Sequence, residues 1–222
     1  MMIDDLIGRL QSIGALAEPT RRELYVYVSA QAEPVSRDQA AAATGLPRHA
    51  VKFHLDRLVD EGLLAVEFRR LSQRRGPGAG RPAKLYLRAP GDLSISVPDR
   101  RYELAGRILA DAVSEAQGGT PIMTAVAHAA TAAGRRVGAQ LRGSEPVPCV
   151  ELLASCGYEP QRSGERIILV NCPFHTLAAE HTELVCGLNL DFIRAMTDEA
   201  GLDVDARLEP GAGRCCVTVR AE

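Results

Sequence analysis

Four cysteines fall within 45 residues near the end of the chain: Cys172 in NCPFH, Cys186 in LVCGLN, and the adjacent pair Cys215 and Cys216 in GRCCV. A thiolate is both a soft metal ligand and a nucleophile, so a group this dense points to metal or redox chemistry. Thirteen residues separate Cys172 from Cys186 and 28 separate Cys186 from Cys215, which is not the C-x2-C spacing of a zinc ribbon. His175, three residues after Cys172, and His181 add nitrogen donors. A mixed thiolate and imidazole set, suited to a cluster or to zinc, therefore stands beside an all-thiolate one. Cys216 is the obvious fourth thiolate, but neighbours in a strand point to opposite faces, so both members of the pair bind one centre only if the backbone bends there. Cys149 and Cys156 read as small buried hydrophobes.

A second chemistry is cationic. Between residues 48 and 88 ten Lys or Arg side chains stand against four acids, a local charge of +6 in a chain whose total is −2. Residues 1–100 carry +3 and residues 101–222 carry −5, so the two halves are expected to do different work. A basic stretch on an otherwise acidic protein points to phosphates.

The elements that must position these cations follow from local signals. Residues 36–44 read as an Ala-rich helix with Ser36 as N-cap and Gln39 three residues later, a capping box. Gly45 ends it, and Pro47 suits the first turn of the next helix. There Val51, Leu55 and Leu58 recur at helical spacing, leaving His49, Lys52, Phe53, Asp56 and Arg57 on the other face. Two helices joined so tightly, the second basic outside, form a helix-turn-helix shaped for the major groove of double-stranded operator DNA. Residues 63–71 and 83–88 read as strands, and the Gly- and Pro-rich SQRRGPGAGRP between them as a wing tip.

Arg48 and Lys52 are expected to bond guanine edges, His49 or His54 to do so more weakly, Phe53 to touch a thymine methyl, and Arg57 to lie on the same DNA-facing side. Arg69, Arg70, Arg74, Arg75, Arg81 and Lys84 are expected to meet phosphates. GPGAGRPAK lacks the spacing and the following helix of a phosphate-binding loop, and no Ser, His and Asp grouping has a strand-turn-helix context. The expected protein is not an enzyme.

Upstream, residues 3–13 and 17–30 read as helices that support the reading pair. Downstream, residues 100–117 form an amphipathic helix. In the helix that follows, Met123, Ala127, Ala130, Gly134, Val137 and Leu141 step by 4 and 3, a seam of small residues expected at a homodimer interface. After residue 148 the pattern turns to short strands and helices. The expected fold class is α+β: an N-terminal winged helix-turn-helix over 1–90, central dimerisation helices over 91–145, and a small C-terminal α+β cysteine-bearing sensor domain over 146–222. No leader pattern or long apolar run appears, which makes the expected location cytoplasmic, with no membrane contact.

The VKFHL…L…EGLL run with its GRPAKLY wing resembles the ArsR and MarR-like bacterial repressors. The tail, with Cys followed by FH, a second Cys near a helix start and a third after a Gly loop, resembles the SufR-type branch of winged-helix repressors. That resemblance spans essentially the whole chain. It implies an iron–sulfur cluster on Cys172, Cys186 and one of Cys215 or Cys216, and a cluster-bound form that represses; the fourth position stays open among Cys216, His175 and His181. Structural zinc or an organic effector in the C-terminal domain is the alternative.

Overall fold

The computed structural model describes residues 3–70, 82–141 and 147–221, and the chain divides into two compact units, Met2–Ile95 and Ser96–Glu222. The first contains α1 (Ile3–Ala15), α2 (Pro19–Ser29), β1 (Val35–Ser36), α3 (Arg37–Thr44), α4 (Arg48–Asp60), β2 (Leu64–Arg69) and β3 (Ala83–Arg88). Ser36 caps α3 as its residue types require. Its Oγ accepts the Gln39 N–H at 3.2 Å while Gln39 Oε1 accepts the Ser36 N–H at 2.9 Å, which satisfies two helix-end donors reciprocally. Gly45 then turns the chain in the left-handed region at φ 70°, a conformation open to a residue without Cβ.

Leu24 and Val28 of α2, Ala40 of α3 and Val51, Leu55 and Leu58 of α4 are buried together with Leu64 and Tyr86. Each large aliphatic side chain removed from water in this way stabilises the unit by roughly 1.5 to 3 kcal/mol. The three strands form a sheet in the order β1-β3-β2, with Val35 opposite Tyr86 and Val66 opposite the same residue on the other side. The two-residue β1 is too short for any periodicity to reveal it.

The second unit contains α5 (Tyr102–Gln117), α6 (Ile122–Leu141), α7 (Cys149–Ser155), β4 (Pro160–Ser163), β5 (Arg166–Leu169), α8 (His175–Glu180), α9 (Thr182–Glu199), β6 (Val204–Leu208) and β7 (Val217–Ala221). Its strands make one antiparallel sheet in the order β4-β5-β7-β6. Ile108 of α5, Ala130 of α6, Phe192 of α9 and Val219 of β7 belong to a single core.

The central helices over 91–145, expected as a dimerisation segment distinct from the sensor domain at 146–222, thus share that domain's core, and the boundary with the reading head falls at 95/96. The small residues of α6 explain this. A Cβ on Gly134 would stand 2.3 Å from the Phe192 carbonyl oxygen, and one on Gly138 would stand 2.5 Å from that of Met196. Gly134 of the expected seam, with Gly138, thus serves close approach to α9 within the chain, while Met123, also expected on the seam, is 54% exposed. Among the described residues no helix is long and apolar enough to cross a membrane.

Candidate functional site

The outward face of α4 carries most of the side chains expected to read DNA. His49, Lys52, Phe53 and Arg57 all line one groove with Arg21 of α2 and Gln11 and Gly14 of α1. Phe53 is 64% exposed, a large apolar ring left in water at the centre of a basic helix face. That exposure is what contact with a base methyl needs. His54 is placed differently. Its Nδ1 lies 3.6 Å from Glu18, the N-cap of α2, and its side chain is only 17% exposed. As the helical neighbour of buried Val51, Leu55 and Leu58, it faces the body of the unit on the side of α2.

The cations are not bare. Lys52 pairs with Asp56 at 3.2 Å, and Asp56 also accepts from Lys84 and from the Tyr86 hydroxyl at 2.8 Å. Burial opposes ionisation of Asp56, yet the bonds from Lys84, Tyr86 and Lys52 prevail and hold its carboxyl below the ordinary range. Lys84 also sits 5.1 Å above the Tyr86 ring, so its ammonium is committed to fixing β3 against α4. Arg48 bonds Asp38 of α3, Arg57 bonds Glu61, and Arg69 reaches Glu33 at 3.2 Å and Glu67 at 2.8 Å. Arg70 is exposed beyond the end of β2. Arg74, Arg75 and Arg81, expected at the wing tip, lie outside the described residues.

In the second unit, Cys172, Cys186, Cys215 and Cys216 are brought together in two pairs. The Cys215 N–H donates to the Leu169 carbonyl of β5 at 2.8 Å. This sets Cys215 Sγ beside Cys172, whose sulfur accepts the Cys215 thiol proton. That hydrogen bond, with the Phe174 N–H and the Arg100 guanidinium, outweighs burial and lowers the Cys172 thiol to about 7. Cys215, as the donor and being buried, is pushed up. Asn189 of α9 donates its Nδ2 to Cys215 Sγ at 3.3 Å and accepts the hydroxyl of buried Tyr158.

One turn earlier on α9, Cys186 is joined to Cys216 as a disulfide, with Cα atoms 6.4 Å apart. The adjacent cysteines therefore do face opposite ways, as an extended backbone dictates, and each meets a different sulfur. Cys186 and Cys216, both expected as metal ligands, are thus bonded to each other, and either would serve a metal only after that bond is reduced. A sulfur in a disulfide carries no thiolate charge to donate. His175, the other expected ligand, opens α8 on the exposed side. Among the described residues no three His, Cys, Asp or Glu side chains are arranged to hold a metal ion. Cys149 and Cys156 are buried in the core, and burial pushes both thiols up.

Sequence reasoning missed Asn171, which is 5% exposed between β5 and Cys172. Its Nδ2 donates to the carbonyls of Asp99 at 2.9 Å and Gly157 at 2.7 Å, and its Oδ1 accepts from Arg100. A lone Asn beside a Cys carries no pattern that would single it out.

A search of curated proteins and a search of solved structures returned no match. Residues 16–67, from the approach to α2 through most of β2, match the family model described as a helix-turn-helix domain. That match covers the reading head alone, and it supports a DNA-binding regulator.

Proposed function

We propose that the protein is a homodimeric transcriptional repressor, soluble in the cytoplasm, whose C-terminal cysteines bind an iron–sulfur cluster and couple cluster or redox status to operator affinity. The observation that carries this reading is the gathering of Cys172, Cys186, Cys215 and Cys216 at one turn of α9, in a chain whose other unit is a helix-turn-helix. Four thiolates are a donor set that an iron–sulfur cluster takes. Reduction of the Cys186–Cys216 bond would free two thiols beside Cys215 and Cys172, the thiol pKa of the last already lowered by the Cys215 hydrogen bond and, less, by the Arg100 guanidinium. Cys172, Cys186 and one or both of Cys215 and Cys216 would be the ligands. A bound cluster would supply one-electron chemistry and iron–thiolate bonds that oxidants break.

The protein's own residues do the rest. Asn189 and the Val217 N–H, 3.5 Å away, orient Cys215. The surrounding core excludes water, and the disulfide is the closed, cluster-free form. On the reading head, Lys52, His49 and Phe53 discriminate bases, while Arg70 and the wing arginines 74, 75 and 81 bind phosphates.

Anaerobic purification tests this directly. A brown protein that contains iron and acid-labile sulfide, is bleached by air and changes its affinity for selected operator DNA on bleaching supports the reading. A colourless protein with one zinc per chain would replace the cluster by a structural metal, and unchanged DNA affinity in every state would remove the sensing role.

A further inference from the structure

Two of the four phenylalanines, Phe174 and Phe192, are fully buried in the core of the second unit. The other two are on the reading head and both face water: Phe53 on α4, and Phe68 on β2 at 70% exposed. A phenyl ring left in water forgoes the burial that stabilises a fold, so Phe68 contributes little to holding its unit together. Single exposed apolar residues are common, and what distinguishes Phe68 is where the register of the sheet places it.

Leu64, Val66 and Phe68 alternate onto one face of β2. Val66 is paired with Tyr86 and Phe68 with Lys84, and residues paired across an antiparallel ladder project to the same side. The Tyr86 hydroxyl and the Lys84 ammonium both bond Asp56 of α4, so that side is the one that meets the reading helix. Leu64 and Tyr86 enter the core and Val66 packs against it, while Phe68 is the first of the row to pass beyond it. It stands at the flank of α4, across the ladder from the lysine that shares Asp56 with Lys52. Arg70, two residues on, is exposed just past the end of the strand.

An α-helix with its side chains is about 10 to 12 Å across, and the major groove is about 12 Å wide. When α4 enters the groove, the sugar–phosphate strand that borders it must lie over whatever flanks the helix. On the side of the sheet, that is Phe68 and Arg70. Sugar and phosphate alternate along such a strand, so a ring and a cation about 6.6 Å apart along an extended chain meet neighbouring groups of it. The ring suits the apolar face of a deoxyribose, and the guanidinium suits a phosphate.

We propose that Phe68 is a DNA-contacting residue that packs its ring on a deoxyribose of the strand bordering the groove, next to the phosphate taken by Arg70. This rests on DNA binding by the reading head and is independent of what the C-terminal cysteines do. Phe68 adds grip to every sequence alike and, unlike a cation, does so without releasing counterions.

In the test, the full-length protein is titrated with a selected operator and with a mixed-sequence duplex of the same length, across about 50 to 200 mM salt. Phe68→Ala is expected to weaken binding to both about tenfold, the change that loss of roughly 60 Å² of apolar contact gives. Its logarithmic salt slope, base preference in binding-site selection and thermal midpoint should stay as in wild type. Phe68→Tyr, which keeps the ring, should bind within about twofold of wild type. Arg70→Ala should instead flatten the salt slope by about one.

Undiminished binding by Phe68→Ala overturns the proposal. A changed base preference would make Phe68 a reader of base edges, and a lowered midpoint or a smaller assembly in sedimentation would make it a packing or subunit contact; each overturns the sugar contact. A wild type that binds neither duplex overturns the DNA-binding reading itself, and that failure is seen before any variant is made.

Discussion

Gly134 of α6 lies so close to the Phe192 carbonyl of α9 that any side chain there would collide with backbone. Ala at this position gains about 1 kcal/mol of helix propensity, but overpacking against a main-chain atom that cannot swing away typically costs about 1 to 3 kcal/mol and here falls at the upper end. Gly134→Ala is therefore expected to lower the thermal midpoint of the second unit and Gly134→Val to prevent its folding. Gly106→Ala on α5, where a Cβ meets open space, should stabilise slightly. Calorimetry of the three variants checks this, and equal midpoints would mean that α6 and α9 do not approach as described.

Asp56 ties α4 to β3 through Lys84 and Tyr86. Because its folded pKa lies below the unfolded value, its contribution is present above the unfolded carboxylate range near ~3.9 and is lost as pH falls through the lower folded value. Asp56→Asn should cost about 1 to 2 kcal/mol at pH 7, with the gap to wild type closing once the pH falls below the ordinary carboxylate range and through the folded value. Urea denaturation at the two pH values measures it. A gap that widens in acid would contradict the pairing.

Three residues expected to contact DNA should not behave alike. Lys52→Ala is expected to relax preference at one base position by about 1 to 3 kcal/mol. Arg74→Ala should weaken every sequence alike and flatten the salt dependence. His54→Ala should leave base preference unchanged and instead destabilise the unit by leaving unfilled space where the largely buried ring packs between α4 and the start of α2. Binding-site selection with each variant separates these outcomes. A shift of base preference in His54→Ala would return that residue to the reading face.

Ser36→Ala removes the side-chain oxygen that caps α3 and is expected to cost about 1 kcal/mol. Ser36→Asp should restore most of it, because a carboxylate also accepts from the N-terminal N–H groups. Denaturant midpoints of both variants provide the check.

The reading head was legible in the sequence because its signals are local. The Ser36 and Gln39 box, the αL glycine at 45 and the spacing of Val51, Leu55 and Leu58 each specify geometry within a few residues. The Ala83–Arg88 strand was read with its full range. What escaped depends on partners far along the chain. The Gly134 seam has the same composition whether it meets a second copy or α9. His54 lies inward beside Glu18, 36 residues earlier, a neighbour set by how α2 and α4 pack. The cysteines could be recognised as a group, and the opposed faces of Cys215 and Cys216 anticipated, but which sulfur each meets is set by where α9 and the Cys172 loop are placed by the fold. Asn171 and Arg100 had no signal at all, since a hydrogen-bond network across 71 residues leaves no periodicity.

The ion pairs on the reading head alter how its charge must be counted. Ten cations lie between residues 48 and 88, and if all displaced condensed ions from a duplex the binding constant would fall with salt at a logarithmic slope near about −9. Arg48, Lys52, Arg57, Arg69, Lys84 and Arg88 already have carboxylates beside them, so a phosphate taking one of them leaves an acid to collect a cation in its place. Among the described cations of this stretch only Arg70 has no carboxylate beside it, so the slope should be clearly shallower than that. Such a protein would let go of random duplex far more readily than its arginine content implies, and would depend on a matching sequence to stay.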